Sequence, residues 1–129
     1  MMRKSNILHL AFATILALGI LHFLAGAFYL YWTLGWFDYL MHFLGGLGGG
    51  LVAFWFVSNK NFSQLRFLVI IVVSVLLVGV AWEIFEYAYN IAQSTEGYVA
   101  DTFHDLLMDA LGALVAWRVG YKKIRNDRN

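Results

Sequence analysis

Four long apolar stretches, separated by short polar segments, predict four helices that cross a membrane. The stretches cover residues 7–31, 39–57, 65–89 and 102–120, and a spanning α-helix needs about 20 predominantly apolar residues. The first stretch is too long for the apolar part of a signal peptide, so we expect it to be retained as a span. We therefore expect one transmembrane domain over residues 1–129, with the all-α fold of an integral membrane four-helix bundle.

The composition supports a membrane protein and excludes cysteine chemistry. Of the 129 residues, 61% are hydrophobic and only 13% are charged, whereas roughly 25% of the residues of soluble domains are charged. The mean hydropathy is +0.68, and a soluble domain of this length cannot bury so much apolar surface. The chain has no cysteine, which rules out disulfides, thiolate metal sites and cysteine nucleophiles.

The basic residues predict how the bundle is oriented. The first and third connections, residues 32–38 and 90–101, contain no Lys or Arg. Basic residues flank membrane spans on the cytoplasmic side, so we expect both termini in the cytoplasm and a multi-pass protein of the cytoplasmic (inner) membrane. All nine basic residues fall at the N-terminus, in the second connection or at the C-terminal end: Arg3, Lys4, Lys60, Arg66, Arg118, Lys122, Lys123, Arg125 and Arg128.

Most acidic residues lie at the opposite, outer end of the predicted bundle. Asp127 is the one acid expected in the cytoplasm, and Glu96 is most simply a solvated acid of the third connection. Histidines follow the acids, because His42 comes one helical turn after Asp38 and His104 is next to Asp105. The six acids predicted to converge within the membrane are Asp38, Glu83, Glu86, Asp101, Asp105 and Asp109.

In each span, the ionisable residues share a helical face with small residues. Small residues mark the places where membrane helices approach closely, so we expect these faces to line the interior of the bundle. Glycine-rich faces of this kind also allow a homo-oligomer. At about 100° per residue, the four faces are Ala11, Gly19, His22 and Gly26; Asp38, His42, Gly45, Gly49 and Ala53; Gly79, Glu83, Glu86 and Asn90; and Asp101, Asp105, Asp109, Gly112, Ala116 and Gly120.

The converging carboxylates predict a bound divalent metal ion. No Lys or Arg in the outer half pairs with them, so a cation or protons must neutralise their charge. Oxygen donors with imidazoles suit Mg²⁺, Mn²⁺, Zn²⁺ or Fe²⁺ without selecting among them. The predicted ligands are Asp38, His42, Glu83, Glu86, Asp101, His104, Asp105 and Asp109, and His42 and Glu86 are the predicted catalytic residues.

Simpler interpretations remain open for several of these side chains. Asp38 and Asp101 each precede an apolar run and can cap a helix N-terminus. His22 can be a hydrogen-bonded packing residue, and His104 can face the outer interface.

Short motifs in the last three spans resemble those of small bacterial membrane proteins. The pattern Asp38-x3-His42-Phe43-x-Gly45-Gly46, then Trp82-Glu83-x2-Glu86, then Asp101-Thr102-x2-Asp105-x3-Asp109-x2-Gly112-Ala113 resembles VanZ-like proteins. It is closer to a related family of predicted membrane proteins that includes YjdF. Glu86 and Asp109 stand where VanZ-like proteins commonly have Gln and Asn, so glycopeptide resistance is not implied. The resemblance implies a cell-envelope membrane protein with an acidic outer site.

These observations favour a metal-dependent hydrolase or transferase whose substrate is a cell-envelope lipid or its headgroup. A site that only binds such a lipid fits the same residues. The expected partner is therefore a membrane lipid and not a nucleic acid. A non-catalytic membrane scaffold is the first alternative. A cation or proton transporter is the second, although the inner halves of the spans offer only Thr14 and Ser74 as polar residues along their predicted interior faces.

Overall fold

The computed structural model describes residues 4–89 and 97–128 and contains only helices in these ranges. This confirms the predicted all-α class. Three segments are long and apolar enough to cross a membrane: Ser5–Ala27, Phe37–Val57 and Gln64–Tyr89. The helices of the described residues are α1 (Lys4–Ala27), α2 (Leu30–Thr33), α3 (Phe37–Val57), α4 (Gln64–Tyr89) and α5 (Tyr98–Arg128).

The fourth predicted span, residues 102–120, lies within α5, which is longer at both ends. Acidic residues occupy its first half and Arg118 lies in its second, so α5 is less apolar than the other three long helices. It nevertheless packs against α3 and α4. Residues 105, 109, 112, 113, 116 and 120 on one side of this helix are all buried.

The first predicted span ends earlier than the hydropathy suggests. Helix α1 stops at Ala27, and Tyr29 adopts a left-handed conformation with φ of 57° before α2 begins. This turn brings the Tyr31 ring against Phe37, with 5.3 Å between ring centroids. Hydropathy did not reveal the break because aromatic residues continue through it.

Helix α3 is the central element, because α1, α4 and α5 all contact it. Its contact with α5 is a backbone-to-backbone approach. A Cβ atom added to Gly112 would collide with the Phe43 carbonyl oxygen, and one added to Gly46 would collide with the Asp109 carbonyl oxygen. Gly50 similarly faces Ala116, with 2.7 Å between an ideal Cβ and the Ala116 Cβ. Small residues therefore let these two helices touch, as expected for membrane helices.

The predicted interior faces need two corrections. On α3, the glycines in close contact with α5 are Gly46 and Gly50, whereas Gly49 is exposed. The buried row follows every fourth residue from His42, which is the i, i+4 ridge used in helix packing. On α1, only Ala11 of the predicted face is buried: Gly19 and Gly26 have no neighbouring atom within 4 Å of an ideal Cβ, and His22 is exposed.

A layer of buried apolar side chains fills the end of the molecule where α3 is connected to α4. The Phe54 and Phe67 rings stack there with 5.4 Å between centroids, and Gly120 of α5 packs on Phe54. The described basic residues Lys60, Arg66, Arg118 and Lys122 belong to the same end. The core of this layer is Ile7, Ala11, Leu51, Phe54, Phe67, Ile71, Val75, Ala113 and Ala116.

Replacing Gly112 by alanine should destabilise the protein by about 1–3 kcal/mol, because the added methyl group meets backbone atoms that cannot move aside. The free energy of unfolding in mixed detergent micelles, followed by circular dichroism, measures this change. Gly19→Ala is the matched control, since that position is open; it should be neutral or stabilising by up to about 1 kcal/mol. Equal stability of the two variants would contradict the close α3–α5 contact.

Candidate metal centre

Three buried carboxylates from two helices meet around one buried histidine from a third helix. Helix α3 contributes His42, α4 contributes Glu83, and α5 contributes Asp105 and Asp109. The exposed fraction is 8% for His42, 4% for Glu83, 1% for Asp105 and 5% for Asp109. Ionisable groups buried to this degree are rare unless they are paired or bind a metal.

The two ring nitrogens of His42 face different carboxylates. Nε2 lies 3.9 Å from Oδ1 of Asp105 and 4.0 Å from Oε1 of Glu83. Nδ1 lies 3.4 Å from Oδ1 of Asp109. Each of these three acids is thus within 4.0 Å of a ring nitrogen of His42, so one imidazole faces three carboxylates.

Two hydroxyl groups of α5 fix the position of Glu83. Thr102 donates a hydrogen bond of 2.8 Å from Oγ1 to Oε2 of Glu83, and the Tyr98 hydroxyl donates one of 3.1 Å to the Glu83 carbonyl oxygen. Neither hydrogen bond was predicted from the sequence. Thr102 was detectable, because it precedes Asp105 by three positions and Asp109 by seven and therefore shares their helical face.

Several carboxylate oxygens at this site are buried and have no hydrogen-bond donor among the described residues. They are Oε1 of Glu83, Oδ1 of Asp105 and Oδ2 of Asp109. An unsatisfied buried acceptor costs about 1–3 kcal/mol, and more when it is charged. Two of these oxygens are the atoms that face Nε2 of His42. A cation bound beside Nε2 would offset the negative charge of these carboxylates, which belong to two donor groups that share His42.

Two partly buried acids, Asp38 and Glu86, form the rim of this cluster. Each completes a set of three donors that could hold a metal ion. Asp38, His42 and Asp105 each offer one ligand atom, and these atoms lie within 4.8 Å of one another. The same holds for His42, Glu83 and Glu86. The structure thus brings together five of the eight predicted ligands in two groups that share His42.

Comparison with known proteins identifies the family. Residues 1–126 match the family model described as "Predicted membrane protein (DUF2238)". The chain belongs to this family. Neither a curated protein nor a solved structure matches it. The DUF2238 match and the three apolar helices together identify a membrane protein, while a specific relation to VanZ-like or YjdF-like proteins stays a prediction.

The three remaining predicted ligands of this DUF2238 protein, Asp101, His104 and Asp109, lie outside the two donor groups. Asp101 is partly buried in the first turn of α5, which begins at Tyr98, so it suits the helix dipole without being the first residue of the helix. The buried Nδ1 of His104 has no hydrogen-bond partner within residues 4–89 and 97–128, and the His104 ring lies 5.7 Å from that of Tyr39. Asn90 and Glu96 fall outside the described residues.

The α1–α2 connection brings a tyrosine close to the rim. The hydroxyl oxygen of Tyr31 and Nδ1 of His22 are 2.8 Å apart and share a hydrogen bond. Burial and the negative charges of Asp38 and Glu86 raise the pKa of Tyr31 to about 12. The phenol is therefore neutral at physiological pH and adds no negative charge to the acidic rim. His22 is exposed, and its hydrogen bond to Tyr31 agrees with the hydrogen-bonded packing role.

Proposed function

We propose that this DUF2238 protein binds a divalent metal ion between α3, α4 and α5. The main support is that Oε1 of Glu83 and Oδ1 of Asp105 are buried and have no hydrogen-bond donor among the described residues. Both oxygens face Nε2 of His42. Ligands held about 2.0–2.2 Å from one ion stand about 3–3.6 Å from each other. The contacts of 3.9 and 4.0 Å need only a small closure to reach that arrangement.

His42, Glu83 and Asp105 form the proposed inner set of ligands. Asp38 and Glu86 reach the same region from the rim and can complete the coordination. This donor set of one imidazole and several carboxylates suits Mn²⁺, Fe²⁺, Zn²⁺ or Mg²⁺. Asp101 and His104 stay predicted ligands outside this inner set.

We further propose that α1, α3, α4 and α5 form a four-helix membrane bundle with both chain termini in the cytoplasm. The described basic residues at the apolar end support this orientation. It directs the metal centre towards the extracytoplasmic side.

Reporter fusions test the topology. Alkaline phosphatase fused after residue 35 should be active, and the same enzyme fused after residue 61 or at the C-terminus should be inactive, because it folds only outside the cytoplasm. Green fluorescent protein fusions serve as the reciprocal control, with fluorescence expected only at the second and third positions. A fluorescent fusion after residue 35 would reverse the proposed orientation.

The proposed ligand of the bound metal is a cell-envelope lipid, approached through the outer rim. A divalent ion can polarise a phosphoryl or ester oxygen and activate water. His42 belongs to both donor groups, so it fits a ligand better than a general base. Glu86 is partly buried at the rim and is the better-placed general base for hydrolysis or transfer.

A transport pathway has less support, because the layer next to the site is apolar. Leu51, Phe54, Ile71 and Val75 are buried there. The hydroxyl of Thr14 on α1 is occupied by a hydrogen bond of 2.9 Å to the Leu10 carbonyl oxygen. A transported ion would need polar groups through this layer. The arrangement therefore favours a site that opens to one side of the membrane.

Elemental analysis of the purified protein tests the proposal. We expect close to stoichiometric divalent metal in the wild type and its loss in the Glu83→Ala/Asp105→Ala variant, because this variant removes two inner ligands. Gly19→Ala is the control and should retain the metal. A wild type that is free of metal, even after incubation with Mn²⁺ or Zn²⁺ and desalting, would overturn the proposed function.

A further inference from the structure

We infer that Asp109 is a positioning residue that holds His42 with Nε2 towards the metal ion, and that this arrangement favours a transition metal over Mg²⁺. The inference rests on the proposed function, since it concerns the same metal centre. It assigns Asp109 a different role from the ligand role expected from the sequence.

The two ring nitrogens of His42 have different neighbours. Oδ1 of Asp109 approaches Nδ1 at 3.4 Å, whereas the oxygens of Glu83 and Asp105 face Nε2. When Nδ1 carries the proton, it donates towards Asp109 and leaves the Nε2 lone pair free for a metal. A carboxylate behind a ligating histidine is the common way in which proteins fix its tautomer and ring orientation.

The missing side chain of one glycine creates the space for the Asp109 carboxylate. A Cβ added to Gly79 of α4 would collide with Oδ2 of Asp109, whereas a Cβ added to Gly45 of α3 would make only an ordinary contact of 4.0 Å with Oδ1. The Asp109 backbone is itself against Gly46. Since these contacts limit the movement of the carboxylate, it is held behind the imidazole.

The arrangement determines which class of metal the site prefers. Imidazole is a good ligand for Zn²⁺, Fe²⁺ and similar ions, whereas Mg²⁺ prefers oxygen ligands and water. A hydrogen bond from Nδ1 to a carboxylate makes the imidazole a more basic ligand. Loss of Asp109 should therefore weaken Zn²⁺ binding more than Mg²⁺ binding, a difference that general misfolding would not produce.

Competition titrations of the full-length protein in detergent, with Zn²⁺ and with Mg²⁺ as the probes, measure this preference. Asp109→Ala should weaken Zn²⁺ binding about 10–100-fold with a smaller change for Mg²⁺. Asp109→Asn should retain most of the Zn²⁺ affinity, because an amide oxygen still accepts the hydrogen bond. Gly79→Ala should weaken Zn²⁺ binding by displacing the carboxylate. Gly49→Ala is its control, because the added methyl group would make only an ordinary contact of 3.8 Å with Val75.

Electron spin-echo modulation of bound Cu²⁺ gives a second readout that reports directly on His42. The signal of the remote imidazole nitrogen depends on its hydrogen bond, so it should shift in Asp109→Ala and stay close to the wild type in Asp109→Asn. An unchanged signal and unchanged Zn²⁺ affinity in Asp109→Ala would overturn the inference. Equal, large losses in the alanine and asparagine variants would also overturn it, because they would indicate a direct ligand. A wild type that binds none of these ions would instead overturn the proposed function.

Discussion

Removal of the divalent ion by a chelator should lower the free energy of unfolding by about 4 kcal/mol, relative to protein with the free ion at 1,000 times its dissociation constant. The physical reason is the burial of Glu83 and Asp105 with oxygens that lack a donor. The proposed cation would compensate for this burial in the folded state, and the unfolded chain would offer no equivalent site.

Unfolding in mixed detergent micelles, followed by tryptophan fluorescence with chelator and with saturating Zn²⁺, measures the effect. The Glu83→Ala/Asp105→Ala variant serves as the control, because its unfolding should not respond to Zn²⁺. The same unfolding curve for wild-type protein with and without Zn²⁺ would contradict a metal that stabilises this cluster.

Replacing two of the buried acids by their amides should abolish the dependence on metal and stabilise the metal-free protein. In the presence of chelator, Glu83→Gln/Asp105→Asn should be more stable than the wild type by on the order of 3 kcal/mol, because it removes buried carboxylate charges that together face a single imidazole. The substitutions keep the size of both side chains, and the amide at position 83 can still accept a hydrogen bond from Thr102.

Glu96→Gln is the matched control for this experiment. It removes one acidic charge from the third connection, where Glu96 is predicted to be a solvated acid outside the site. It should leave both stability and metal dependence unchanged. A doubly substituted protein that is less stable than the metal-free wild type would show that Glu83 and Asp105 are already compensated within the chain.

Much of the fold and part of the site follow from patterns that act along a single helix. The lengths of the apolar stretches predict the ends of α3 and α4 within a few residues. They do so because each helix must cross the membrane by itself. On α5, residues Asp105, Asp109 and Gly112 share one face in both the sequence pattern and the structure. Helical periodicity is enough to identify such a face.

Contacts between helices were harder to predict, because they depend on how each helix is rotated and crossed. A difference of one residue, about 100° of rotation, separates the expected Gly45 and Gly49 from the observed Gly46 and Gly50. The central place of His42 among carboxylates from α4 and α5 depends on this rotation. The hydrogen bond from Thr102 to Glu83 joins two helices, and hydropathy carries no information about it.

Anomalous X-ray scattering from crystals of the protein soaked in Zn²⁺ would locate a bound ion. We expect a single strong peak about 2.0–2.2 Å from Nε2 of His42 and from carboxylate oxygens of Glu83 and Asp105, with Asp109 on the Nδ1 side of the ring. The absence of a peak, in a structure where these carboxylates point towards separate lipid or solvent surfaces, would contradict it.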